Sequence, residues 1–233
     1  MTDEHAHHTG AWQPNAVLPE GKRLALRRLA DATRQTIDLL METDAPDADL
    51  LAAAAAAEAF NARLAAAPRG RPLWGFAEAS TSGDPVSFYD NSPISGPANP
   101  IAPPLTMRMV GGEVEAWAEF GIAYEGPPGH VHGGWVAAAF DEVLGMVQSG
   151  TGNPGMTGTL TVRYRRPTPL LRRVTFRGRL DRVEGRKIFT VATLSDGDTL
   201  CAEAEGIFIS VGQERFRALA EQADRGAVFP AGS

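Results

Sequence analysis

From residue 105 to residue 210 the chain alternates apolar and polar positions with a period of two, the pattern of half-buried β-strands. The runs predict strands at 105–111, 113–123, 156–165, 172–183, 186–195 and 199–210. Glycine-bearing turns separate them at Gly111-Gly112, Glu184-Gly185 and Asp196-Gly197. One stretch, residues 126–145, breaks the alternation. It opens as a loop, because Pro127, Pro128 and Gly129 forbid regular structure. From Gly133 it reads as a helix with Ala137, Ala138, Ala139, Phe140, Val143, Leu144 and Val147, mostly apolar and small in its first turns. Strands, one long helix and then a run of strands predict an α+β domain, an antiparallel sheet with the helix covering one face.

That helix carries the candidate chemistry. Opened by Gly133 and Gly134, its first N–H groups are uncovered, and its dipole favours negative charge, so it can hold an oxyanion. Asp141, in the middle of a largely apolar helix, needs a reason. Gly134 and Asp141 share one helix face about 10 Å apart. An attacking group must come within about 3 Å of the carbonyl held by the N–H groups, so one straight helix cannot serve one carbonyl with both. Two antiparallel copies across a two-fold axis can. The spacing therefore predicts a homodimer with two shared sites.

The remaining chain reads as appendages. Residues 1–17 are polar and irregular, and His5, His7 and His8 lack the cysteine or carboxylate framework of a metal site, so a disordered tail is expected. Residues 18–67 form a helical extension. Its first helix carries a stripe of Leu26, Leu29, Ala30, Thr33, Ile37 and Leu40. Its second, capped by Asp47, is rich in alanine. Residues 68–104 hold eight prolines, which excludes regular structure over most of their length. They read as a belt anchored by Trp74, Phe76, Phe88 and Tyr89, with a short strand near Phe88. The sheet domain occupies 105–211 and a tail 212–233.

Composition narrows the function. The net charge of −6 argues against a general nucleic-acid binder. A single cysteine, Cys201, excludes an internal disulfide framework, and its strand setting reads as a packed core thiol. No apolar run is long enough to span a membrane, and the acidic N-terminus lacks a signal-peptide pattern, so a cytoplasmic protein is expected. Against this acidic background, residues 163–187 hold ten basic side chains and two acidic ones. Such a cluster suits phosphate, which arginine meets bidentately, although charged strand edges account equally for Arg172, Arg173, Arg177 and Arg179.

Five ordered motifs carry a resemblance: Gly126-Pro-Pro-Gly-His-Val-His-Gly-Gly, the helical Asp141, Met156-Thr157, Tyr164-Arg-Arg-Pro167 and Asp181-Arg-Val-Glu-Gly-Arg-Lys187. Over roughly residues 105–211 the chain resembles the hotdog-fold acyl-CoA thioesterases, in the thioesterase-superfamily-member branch near the PaaI-like enzymes. His130 departs from the family pattern, which has a small residue there. The resemblance implies a hotdog fold and hydrolysis of an acyl-CoA thioester, with coenzyme A as part of the substrate and no further cofactor or metal. In that frame the Gly134 N–H stabilises the oxyanion and Gly133 permits close backbone approach. Asp141 of the other subunit activates water or attacks directly, two routes the sequence does not separate. The resemblance further places Thr157 beside Asp141 to hold water or position the carbonyl. His132 orients the loop or bonds near the carbonyl. Arg163, Arg165, Arg186 and Lys187 fall at the nucleotide. A homodimer is expected, with a dimer of dimers as a further stage. Two alternatives share the scaffold: a hotdog enoyl-CoA hydratase or dehydratase using His132 with Asp141, and a non-catalytic acyl-CoA-binding regulatory protein.

Overall fold

The computed structural model describes residues 20–68, 90–103, 105–153 and 155–210. The predicted tails, the aromatic anchors Trp74, Phe76, Phe88 and Tyr89 and the strand expected near Phe88 lie outside them. Among the described residues no helix is long and apolar enough to cross a membrane.

The alternation between residues 105 and 210 produces one six-stranded antiparallel sheet. Its strands are β1 (Thr106–Val110), β2 (Glu113–Glu119), β3 (Gly155–Tyr164), β4 (Arg173–Glu184), β5 (Lys187–Asp196) and β6 (Thr199–Ser210), in the order β1-β2-β4-β5-β6-β3. Glycines with positive φ make the predicted turns, Gly111 and Gly112 between β1 and β2, Gly185 between β4 and β5, and Gly197 between β5 and β6. The predicted strand 113–123 ends early, because a short 3-10 turn at Ile122–Tyr124 leads into the proline loop.

Helix α3 (Gly133–Ser149) crosses the sheet, as its apolar composition requires. It buries Val136, Ala139, Phe140, Val143, Leu144, Met146 and Val147 against Phe176, Leu194, Ala204 and Phe208. Phe140 meets Phe176 edge to face at 5.3 Å. Gly178 sets how near the helix lies. A Cβ there would come within 2.9 Å of Val143 Cγ1 and 3.0 Å of Val147 Cγ2. Cys201 packs in this core, where burial pushes its thiol up.

Two helices precede the sheet, α1 (Gly21–Glu42) and α2 (Asp47–Ala66). The predicted cap of α2 is displaced: Pro46 is the N-cap, and Asp47 with Asp49 fills the first turn, where carboxylates favour the dipole without a side-chain cap bond. The predicted stripe of α1 is corrected in part. Its middle faces inward as expected, with Ala30 buried and Leu29, Thr33 and Ile37 half-buried, but Leu26 and Leu40 at its ends are exposed, and Arg23, Arg27 and Arg34 share the inward side. Its partner is a turn-rich strap, residues 90–103, whose backbone carbonyls and buried Asp90 draw arginine rather than leucine.

Candidate active site

The proline loop delivers His132 to the start of α3. Pro127 O accepts from His130 N–H, Gly126 N–H donates to His130 O, and Gly129 takes the positive φ, so the loop folds back as a tight hairpin. His132 N–H then donates to Tyr124 O at 2.9 Å. Tyr124 is itself fixed by edge contacts with Phe120 and Trp135, and burial pushes its phenol up to about 12. His130, the departure from the family pattern, donates through Nδ1 to Pro128 O at 2.9 Å, a bond that braces the loop.

His132 is the N-cap of α3, and its Nδ1 accepts the Gly134 N–H at 3.0 Å. The predicted oxyanion donor is therefore capped by its own chain. For Nδ1 to accept, a neutral ring must carry its proton on Nε2, which leaves an outward N–H beside the helix start. The side chain is exposed, so the ring can swing aside and release the Gly134 N–H. Gly133 N–H donates to nothing among the described residues, and Gly133 O accepts from Tyr164 Oη at 2.7 Å. Tyr164 is 54% exposed, and its hydroxyl acts as a clamp on this turn.

At the other end of the same face, Thr157 Oγ1 donates to Asp141 Oδ1 at 2.9 Å. Strict alternation puts Thr157 opposite Leu160, Val162 and Tyr164. A bulge at Gly158 breaks the alternation: Thr157 pairs with Phe208 and Thr159 with Ile207, so the face switches between them. Thr157 thus turns toward the helix, where Asp141 lies. Gly158 has little room for a side chain, since a Cβ would come within 3.0 Å of Ile209 Cγ1.

The basic candidates fall in two groups. Arg163 pairs with Glu205 at 2.5 Å and Arg165 with Glu203 at 2.9 Å, where β3 ends. Arg186 donates to Ser210 O at 3.1 Å, and Lys187 stands opposite Ile209, beside the start of β3. The length of β3, about 30 Å, separates the groups within one chain. Arg182, not among the predicted phosphate contacts, pairs with Asp181 and Glu184 and lies 3.7 Å over the Phe189 ring.

Sequence reasoning passed over Glu142, Ser92 and Ser95, which form a polar node on the flank of α3. The available signal was a second carboxylate directly after Asp141 in an apolar helix.

A long helix laid across an antiparallel sheet, with a glycine-opened N-terminus and a carboxylate two turns on, defines the hotdog class. A sequence profile described as the thioesterase superfamily matches residues 128–203. The crystal structure of a thioesterase superfamily protein superposes with a TM-score of 0.73 at 35% identity, covering 82% of this chain and 97% of that one. The chain belongs to the thioesterase superfamily. Among curated relatives, acyl-coenzyme A thioesterase THEM4 of Mus musculus is 37% identical over 97 residues, 41% of this chain and 42% of that protein. Its Bos taurus counterpart is 40% identical over 93 residues, 39% and 38% of the two chains. The match thus spans about two fifths of the length of these curated relatives.

Proposed function

We propose that the protein hydrolyses acyl-CoA thioesters in two sites shared across a homodimer. The observation that carries the reading is the Thr157–Asp141 hydrogen bond, which presents an oriented carboxylate on the helix face that also holds Gly134. A hydrolase needs a water or nucleophile aimed at a carbonyl and a donor waiting for the oxygen. Asp141 supplies the first, as base or as nucleophile, and Thr157 fixes its rotamer. The Gly134 N–H supplies the second once His132 turns away, with the His132 Nε2–H beside it.

Both functions need two copies. β3 is an edge strand bonded only to β6 among the described strands, with Met156 and Tyr164 exposed on it. Antiparallel β3–β3 pairing across a two-fold axis would set the Tyr164 end of one copy against the Thr157 end of the other. The helix N-terminus clamped by Tyr164 would then approach the partner copy's Asp141. The same operation would bring Arg163 and Arg165 of one copy toward Arg186 and Lys187 of the other. Four cations gathered from two chains suit the phosphates of coenzyme A, and Arg163 and Arg165 would exchange the exposed Glu205 and the half-buried Glu203 for phosphate at little loss.

The test is thiol release from acyl-CoAs of graded chain length by the native protein and Asp141→Asn. Near-complete loss of turnover with coenzyme A binding retained is the expected result. Equal turnover by the two proteins would remove Asp141 from the reaction. Hydration of an enoyl-CoA with its thioester intact would replace the reading with the hydratase.

A further inference from the structure

The site as described leaves Glu142 without a task, although a second carboxylate on an apolar helix needs compensation for lost hydration. The compensation comes from outside the sheet domain. The hydroxyls of Ser92 and Ser95 both donate to Glu142 Oε1, that of Ser92 at 2.7 Å. Ser92 Oγ in turn accepts the backbone N–H groups of Ile94 and Ser95 at 3.1 and 3.2 Å, so its one proton is committed to the carboxylate. Burial pushes the Glu142 carboxyl up, the two serines draw it back, and the neighbouring Asp141 charge pushes it up again.

The donors belong to a strap, residues 90–103, folded tightly enough to act as one part. Gly96 N–H donates to Ser92 O at 3.0 Å and Ala98 N–H to Asp90 O at 2.8 Å. Gly96 lies inside this knot, where a Cβ would meet Ser92 O at 2.5 Å and Asp90 O at 2.6 Å. Those are backbone atoms that cannot yield to a side chain. The strap's other end is gripped by α1. Asp90, 4% exposed, pairs with Arg23 and, at 2.5 Å, with Arg27, and Arg34 donates to Asn99 O at 3.0 Å. Ile94 packs on the rim of the core between the two anchor points. The strap therefore joins two polar anchors, Asp90 on α1 and Ser92 with Ser95 on Glu142, and the second lies beside Asp141.

We propose that Glu142 is a positioning residue that latches the strap, and through it α1, onto α3, and so holds Asp141 in its reacting orientation. The proposal rests on the reading of Asp141 as the attacking group. It makes the N-terminal extension a part of the catalytic apparatus, acting through one carboxylate that never meets the substrate.

The test uses the full chain and reads steady-state thioester hydrolysis together with hydrogen exchange at the strap amides of Ile94, Ser95, Gly96 and Ala98. Glu142→Gln keeps Oε1, where both hydroxyls converge, and is expected to stay within about threefold of native kcat. Glu142→Ala removes it and is expected to lower kcat about tenfold or more with KM little changed, since small misplacements of a reacting group cost orders of magnitude. Gly96→Ala breaks the strap without touching α3 and is expected to behave as Glu142→Ala, with faster strap exchange in both. Should Glu142→Ala fail to fold, Ser92→Ala with Ser95→Ala carries the same test. Native kcat in Glu142→Ala, unaltered strap exchange, or a glutamine variant as impaired as the alanine would each overturn the proposal. A native protein silent toward every thioester would instead sink the thioesterase reading, and strap exchange would still decide whether the latch exists.

Discussion

Thr157→Val exchanges a hydroxyl for a methyl at nearly constant shape, and so isolates one bond. In the native chain Thr157 Oγ1 donates to Asp141 Oδ1 at 2.9 Å. A hydrogen bond to a charged partner is worth about 1.5–3 kcal/mol net, and the exposure of Thr157 places this one at the lower end. Expressed in the transition state, about 1.5 kcal/mol is about tenfold in kcat. Folding loses at most the same amount, and less where water replaces the hydroxyl at this exposed position. The assay is steady-state thiol release by the native protein, Thr157→Val and Thr157→Ser, with a thermal melt of each. Valine should lose about tenfold in kcat with only a small drop in melting temperature, and serine, which keeps the hydroxyl, should stay near native. A valine variant with native kcat would show that the bulge at Gly158 turns Thr157 inward for packing alone. A serine variant as slow as valine would show that the methyl matters and not the hydroxyl.

Other outcomes follow from the same geometry. Gly178→Ala presses a methyl against the stiff side chains Val143 and Val147. It should cost about 1–3 kcal/mol, read as a lower denaturant midpoint. His132→Ala removes the cap on Gly134 N–H and should cost about 1 kcal/mol in a chemical melt. Asp90 titrates in the acid range. Burial pushes its carboxyl up, but hydrogen bonds and charge from Arg23 and Arg27 outweigh that and hold it below its ordinary 3.8. A depressed folded-state value gives stability that is present above the unfolded-state value and lost as pH falls through the folded one. The melting-temperature gap between the native protein and Asp90→Asn should therefore be level at neutral pH and close below about pH 3.8. A gap that persists in stronger acid would mean that charge is not what holds the strap to α1.

The features legible in the sequence are those that depend on neighbours along the chain. Period-two alternation and the positive-φ glycines located all six strands, and the small apolar run located α3. The spacing of Gly134 and Asp141 was equally readable. What escaped depends on contacts distant in sequence or on a single backbone irregularity. The Gly158 bulge reverses the face of Thr157, and its one sequence signal, a lone glycine inside a strand pattern, does not say which way the face turns. Glu142 meets Ser92 and Ser95 across some 50 positions, so its node is visible only once the strap is folded. The roles of Arg23, Arg27 and Arg34, beside the half-buried Leu29, Thr33 and Ile37 of α1, escaped because their partners are backbone carbonyls and one aspartate in a proline-rich stretch.

The central claim is that each site takes Asp141 from one copy and the start of α3 from the other, and complementation tests it most directly. Chains carrying Asp141→Asn and chains carrying Gly134→Val are purified separately, shown to be inactive, then unfolded and refolded together. In a mixed dimer one shared site receives an intact Gly134 and an intact Asp141, while the other receives neither. Thiol release should return, toward about half the native rate per mixed dimer. Verified mixed dimers that stay as inactive as their parents would contradict the account and return both groups to a single chain.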